Sequence, residues 1–238
     1  MSNITYEKGS MTITVAGVDD IANALGDLRS KTPAAVKVAV NATAREARKL
    51  MIARAQARYA VNAAGKKHLK DLKQRKRATN TSLSAELFIA KMRNDLGYFE
   101  HRPQQTFTGL DVLRHAPAHV YARVLKSSSM RALTGGNTPG RGEMSKGFLV
   151  EFKSGHVGMV QRDIGSNSSR KVTEKSGKPR WKNKAGQVEK LVTMGSPSAT
   201  AMHTTVWPYI EPQVEDYLQD RLDAQVERIL ARAAGGKK

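Results

Sequence analysis

The sequence predicts an α+β fold: an antiparallel sheet with a long N-terminal helix, an amphipathic C-terminal helix and long basic loops. Apolar residues recur at helical spacing near both ends of the 238-residue chain, whereas segments between them alternate with period two. Two stretches rich in serine and glycine, 127–147 and 165–190, predict the loops. We expect residues 1–32 to form an N-terminal strand and short helix, and residues 33–238 to form a single α+β domain.

The N-terminal elements follow from local patterns. Residues 11–15 (Met-Thr-Ile-Thr-Val) predict a short strand, and a short helix is expected to begin near Val18. A long helix is predicted from Pro33 to about Tyr59. Thr32 can accept a hydrogen bond from the free amides at its start, and Pro33 suits the first turn because its missing N–H costs nothing there.

This long helix carries an apolar stripe that becomes cationic. The stripe consists of Val36, Val40, Ala44, Ala47 and Met51. Arg54 and Arg58 follow on the same face. Two interpretations remain open: the end of the helix is solvated, or it meets another subunit or an anion.

Strands are predicted where apolar and polar residues alternate. Residues 83–89 and 120–125 each predict one strand. The clearest pattern is a β-hairpin, in which 148–152 and 157–161 alternate on either side of a turn at Ser154-Gly155. The glycine would supply the positive φ that such a turn requires.

The last helix is predicted to start near Pro212 and to end before Gly235, which is a typical helix-terminating residue. Its apolar residues recur at helical spacing, and residues 211–230 contain six acids and two arginines. An acidic helix in a basic protein can pack near the basic first helix or bind a basic partner.

The charge balance favours an anionic partner. Forty Lys and Arg face twenty-one Asp and Glu, giving a net charge of +19. The chain has no cysteine, which excludes disulfides and thiolate metal ligands. We expect no secretory leader, because no basic stretch leads into an apolar run at Met1, and no membrane association, because no apolar stretch is long enough to span a bilayer.

Cations are concentrated in residues 66–77, where Asp71 is the one acid and a short helix is predicted. The candidate residues for contact with DNA or another anionic partner are Lys66, Lys67, Lys70, Lys73, Arg75, Lys76 and Arg77. A second basic cluster covers 170–190. Either cluster is a solvated face, or it neutralises phosphates without reading sequence. Aromatic residues do not interleave with these cations, so stacking on single strands is not expected.

The candidate catalytic and metal-binding residues do not form a set that supports an enzyme or a cofactor. His115 and His119 have the spacing of metal ligands on a helix, but Pro117 lies between them. Glu151 and Lys153 resemble half of a metal-dependent nuclease site and lack a nearby second carboxylate. We therefore predict no catalytic residue, no metal and no cofactor.

Three segments together resemble the phage minor tail protein Z (tail completion) family. The first is the N-terminal helix leading into Lys70-Asp71-Leu72-Lys73 and Arg77-Ala78-Thr79, and the second is the hairpin from Phe148 to Arg162. The third is Leu191–Ser198, followed by an amphipathic helix. The positions that match the family motifs are Ser154, Gly155, His156, Gly158, Arg162, Gly195, Pro197 and Ser198.

The resemblance implies a structural virion protein at the head-proximal end of a long phage tail. Such a protein completes the tail in the host cytoplasm, joins it to the head in the neck region and allows DNA to pass. The implied partners are the tail terminator or tail tube protein, the head–tail connector and further copies of the chain in a homo-oligomeric ring. Non-specific DNA contact is also implied, and the alternative function is a free, non-specific nucleic-acid-binding protein.

Overall fold

The computed structural model describes residues 2–7, 9–89, 95–106, 120–133, 143–144, 147–164 and 189–235. It confirms the α+β class, with long helices near both ends and antiparallel sheets. The chain divides into two compact units. The first unit comprises 1–57, 66–92 and 198–238, and the second comprises 58–65 and 93–197. Residues on both sides of position 32 therefore share one unit, although the sequence predicts a boundary there.

The first unit contains a four-stranded antiparallel sheet in the order β1-β2-β4-β3. Its strands are β1 (Ser2–Glu7), β2 (Ser10–Val15), β3 (Leu72–Lys76) and β4 (Ala85–Ile89). Strand β1 was not predicted. It pairs with β2 through a tight turn at Gly9, whose φ of 85° is one that glycine adopts readily.

The helices predicted near Val18, from Pro33 and near Pro212 are confirmed, whereas a helix at 199–206 was not predicted. They are α1 (Val18–Leu25), α2 (Thr32–Arg58), α3 (Ala63–Leu69), α4 (Ala199–Val206) and α5 (Glu211–Gly235). Short 3₁₀ turns at Gly26–Lys31 and Trp207–Tyr209 precede α2 and α5. At the start of α4, the Ser198 hydroxyl accepts a hydrogen bond from the Ala201 amide at 3.0 Å, which caps the helix.

The core of the first unit lies between one sheet face and the helices. Alternate residues of β2 and β4 are buried, among them Met11 and Leu87, and they cluster with Val40 of α2 and Leu218 of α5. The stripe on α2 continues through buried Ala55. Arg54 and Arg58 at the end of the predicted stripe are exposed, which agrees with both interpretations of this end of the helix.

The second unit contains two small antiparallel sheets. One has the order β5-β6-β7, and in the other β10 pairs with β8, β9 and β11. The strands are β5 (Glu100–Arg102), β6 (Tyr121–Arg123), β7 (Arg131–Ala132), β8 (Glu143–Met144), β9 (Phe148–Glu151), β10 (Val157–Ile164) and β11 (Glu189–Thr193). A 3₁₀ turn, Leu96–Tyr98, precedes β5.

The predicted hairpin is confirmed as β9 and β10, and Gly155 in its turn has a φ of 73°. Two other predictions need correction. The predicted loop 127–147 contains the short strands β7 and β8, which pair with β6 and β10. Most of the loop predicted at 165–190 lies outside the described residues, and its end is part of strand β11.

Candidate anion-binding surface

The basic segment 66–77 is half helix and half strand. The prediction of a short helix holds only for its first part, because α3 ends at Leu69 and the chain then enters β3 at Leu72. The change occurs because β4 offers hydrogen bonds along an open side, which local helical propensity cannot match. We call the seven cations of this segment the basic edge: Lys66, Lys67, Lys70, Lys73, Arg75, Lys76 and Arg77.

The position of the basic edge follows from the sheet order. Among the described residues, strand β3 lies at the end of its sheet and pairs with β4 alone. A register shift between Gln74 and Lys76 leaves Arg75 outside the regular ladder. All seven cationic side chains are exposed. Cations on an edge strand also discourage pairing with another strand, so this arrangement alone is compatible with a purely protective role.

Two side chains of α2 fix the backbone of the basic edge. The Asn41 amide donates to the Ala78 carbonyl at 2.9 Å, and its oxygen accepts from the Ala78 amide at 3.0 Å and from Gln74 at 3.2 Å. The Arg48 guanidinium donates to the carbonyls of Leu72 at 2.5 Å and Lys70 at 2.8 Å. These contacts hold the strand in place, so its cations are presented on a rigid support.

Most of the basic edge lacks counter-charges. Arg75 lies 3.8 Å from the Glu86 carboxylate and 5.6 Å from the centroid of the Phe88 ring. Within the residues that the structure describes, the other six cations of the edge have no ion pair. Seven exposed cations with only Asp71 among them in the sequence repel one another, and an anionic partner would relieve that repulsion.

His156, one of the positions of the resemblance motif, belongs to a different arrangement that was not predicted from the sequence. Asp95 is almost completely buried, and its Oδ1 accepts hydrogen bonds from the amides of Gly97 at 2.8 Å and Met159 at 2.9 Å. Its Oδ2 lies 2.7 Å from Nε2 of His156. A carboxylate only accepts, so Nε2 donates, and Nδ1 faces the Tyr98 hydroxyl at 3.4 Å. We call Asp95, Gly97, Tyr98, His156 and Met159 the Asp95 network.

The close approach of backbone to Asp95 explains the glycine at 158. A Cβ there would lie 2.6 Å from Asp95 Oδ2 and 2.8 Å from the Phe152 ring. That ring stacks on His156 with their planes only 5° apart. His156 and Gly158 therefore serve the packing of this turn, and no sequence pattern marked Asp95 as their partner.

The remaining motif positions do not converge on one site. Ser154 is exposed in the hairpin turn, and Arg162 lies on β10 opposite Leu191. Gly195 has open space around it. Pro197 is half-buried and leads into the Ser198 cap.

A buried histidine, His203 of α4, was not singled out from the sequence. Its Nε2 donates to the Leu69 carbonyl at 3.3 Å, and its Nδ1 has no partner among the described residues. Burial lowers the pKa of His203 to about 4, and the hydrogen bond to Leu69 opposes this shift. The ring is therefore neutral in the folded protein at neutral pH.

The other candidates for chemistry are not assembled by the described residues. Glu151 and Lys153 are both exposed around the hairpin turn, whereas His115 and His119 lie outside the described residues. In the described part of the chain, no group of three or more histidines and carboxylates could hold a metal ion. No helix within that part is long and apolar enough to cross a membrane.

Comparison with known proteins finds no match for this chain among protein-family models, curated proteins or solved structures.

Proposed function

We propose that the protein belongs to the class of structural binding proteins and acts through a rigid cationic surface. The basic edge is the observation that supports this class. Three of its cations, Lys73, Arg75 and Lys76, stand on an edge strand. Arg48 and Asn41 hold the backbone at the two ends of that strand by side-chain contacts. Surfaces of this kind bind polyanions by neutralising charge.

Within this class, we propose a tail completion protein of a long-tailed phage, located at the head-proximal end of the tail. There it joins tail to head and contacts DNA without reading its sequence. The resemblance in the hairpin and before α5 supports this role, together with the geometry of the basic edge. Weak, salt-sensitive phosphate contacts suit a DNA conduit, because tight contacts would stall the genome.

The experiment that tests this role is electron microscopy of particles from a phage that lacks the gene, with infectivity measured in parallel. We expect filled heads with detached tails, or joined particles that do not infect. Complementation with the wild-type gene should restore normal particles. Normal infectious particles without the gene would overturn the proposal.

The second candidate is a free, non-specific nucleic-acid-binding protein, which the exposed cations of the basic edge favour. It requires the purified chain to bind duplexes of unrelated sequence equally well. The logarithm of the binding constant should then fall with the logarithm of salt concentration, with a slope of about −0.9 for each phosphate neutralised. Absence of binding at low salt would eliminate this candidate. The tail role would then be tested by the electron microscopy and infectivity of the particles that lack the gene product.

A further inference from the structure

Helix α5 has opposite charges on its two flanks. The acidic flank, defined by spacings of four, three and four residues, consists of Asp216, Asp220, Asp223 and Glu227. The basic flank, defined by spacings of seven and four residues, consists of Arg221, Arg228 and Arg232. These spacings place each set along one side of an α-helix. A helix that only covered its own core would have no need to separate its charges in this way.

Each flank borders a groove in the first unit. The acidic groove, of about 390 Å³, lies between α1 and α5, where Asp20, Asp223 and Glu227 surround apolar side chains such as Val226. The basic groove, of about 570 Å³, lies between α5 and the 3₁₀ turn and first residues of α2. Its rim carries three cations, Lys31, Arg228 and Arg232.

The floor of the basic groove is apolar and accessible. It is lined by Leu28, Val38 and Ile229, and the Val38 side chain is 42% exposed. Leu230, one helical turn beyond Val226 of the acidic groove, is also 42% exposed. Apolar surface of this kind, bordered by charges, is typical of a contact with another protein.

The charges on these flanks are unfavourable in the isolated chain. Asp223 and Glu227 are four residues apart, as are Arg228 and Arg232, and like charges at this spacing destabilise a helix. Among the described residues, none of these four side chains forms an ion pair. A surface of opposite charge would relieve both repulsions, and the chain itself contains that surface on the other flank.

We infer that copies of this chain join head to tail through α5. The acidic flank of α5 in one copy occupies the basic groove of the next, and apolar residues near Val38 and Leu230 are covered by the contact. Because two different surfaces meet, each copy can bind one neighbour on each flank. The copies form a closed ring if the rotation between neighbouring copies divides a full turn evenly. The contact between copies does not depend on the proposed function; only its assignment to a ring in the phage tail rests on that function.

Charge reversal tests the pairing of flanks in the purified full-length protein. Asp223→Lys/Glu227→Lys replaces the two acids of α5 that line the acidic groove with cations, and Arg228→Glu/Arg232→Glu replaces the two cations of α5 that line the basic groove with acids. Sedimentation velocity should show self-association of the wild type and a weakening of about a hundredfold or more in each variant, because like charges then face each other. An equimolar mixture of the two variants should assemble again, since the substituted positions of one variant then meet substituted positions of opposite charge in the other.

Two further variants separate loss of the interface from loss of the fold or of charge. Val38→Glu replaces an exposed side chain and should abolish association while circular dichroism stays unchanged. Lys126→Glu/Lys153→Glu changes the net charge as much as Arg228→Glu/Arg232→Glu but lies in the second unit, outside the basic edge, and it should associate like the wild type. Circular dichroism of both charge-reversal variants should match the wild type.

A monomeric wild type, or charge-reversal variants that still associate, would overturn the inference. Failure of the mixed variants to associate would overturn the head-to-tail arrangement. These outcomes are independent of the particle experiment. Normal particles without the gene, together with association of the purified chain through α5, would remove the tail role and leave the interface standing.

Discussion

The Asp95 network and the basic edge use charged residues in opposite ways. Asp95 is buried, and both of its oxygens are hydrogen-bonded to the turn and strand around them. The cations of the basic edge are exposed, and six of the seven lack an ion pair within the described residues. The sequence shows charges at both places and does not distinguish them.

The difference indicates which region determines stability and which is available for binding. A buried charge is costly unless every partner is present, so the Asp95 network determines whether its turn folds. Exposed cations contribute little to stability, so the basic edge is available to a partner. Substitutions in the first region should therefore lower the free energy of unfolding. Substitutions in the second should change binding while the fold stays intact.

The largest expected effect is that of Asp95→Ala. It leaves the amides of Gly97 and Met159 and the ring of His156 without their acceptor in a buried site. We expect the free energy of unfolding to fall by about 4 kcal/mol, since each orphaned buried group costs about 1–3 kcal/mol. Urea denaturation measures this loss. Asp95→Asn keeps one acceptor oxygen and should lose less stability than Asp95→Ala. Equal stability of the wild type and both variants would contradict the network.

Lowering the pH should weaken the fold through His203. The pKa of His203 is about 4 in the folded protein, below its ordinary value of 6.5, so only the unfolded chain gains a proton between these values. The contribution of neutral His203 to the free energy of unfolding is complete above about pH 6.5. It is lost as the pH falls towards about 4, a difference of about 3 kcal/mol. His203→Gln should show a shallower decline of unfolding free energy over this range. Parallel declines would show that His203 does not contribute.

A smaller effect is expected from Gly158→Ala. The added methyl would lie within 2.8 Å of both the Asp95 carboxylate and the Phe152 ring, so the turn must shift. We expect a loss of about 2 kcal/mol, as for other overpacked sites. Gly195→Ala is the matched control, because nothing lies within 4 Å of its added Cβ and its φ is not in the left-handed region. If the two variants melt at the same temperature, the close contact at Gly158 is wrong.

The smallest effect on stability should come from the basic edge. Lys70→Glu/Lys73→Glu/Lys76→Glu should change the free energy of unfolding by less than about 0.5 kcal/mol for each exposed position. Complementation of the gene deletion with this variant should nevertheless fail to restore infectious particles. The matched control is Lys126→Glu/Arg131→Glu/Lys153→Glu, which changes three exposed cations of the second unit equally. Full infectivity of the basic-edge variant would remove the functional claim for this surface.

The sequence by itself determined the elements whose signals are local. Helices α2 and α5 follow from apolar spacing over 27 and 25 residues, and their boundaries follow from Thr32-Pro33 and Gly235. The hairpin follows from alternation around Gly155, where a positive φ is required. Net charge and the cluster at 66–77 were also evident from composition, because they need no knowledge of what lies nearby.

Tertiary structure decided what these residues contact. Residues 72–76 became a strand because β4 offered an open edge. Two side chains far away along the chain add to this: Arg48 binds the Leu72 carbonyl, and Asn41 binds the backbone of Ala78 just after the strand. Asp95 and His156 are 61 residues apart, and no sequence pattern in either segment predicts their contact. Hydrogen bonds between distant segments depend on how elements pack, so periodicity and spacing, which are local properties, cannot specify them.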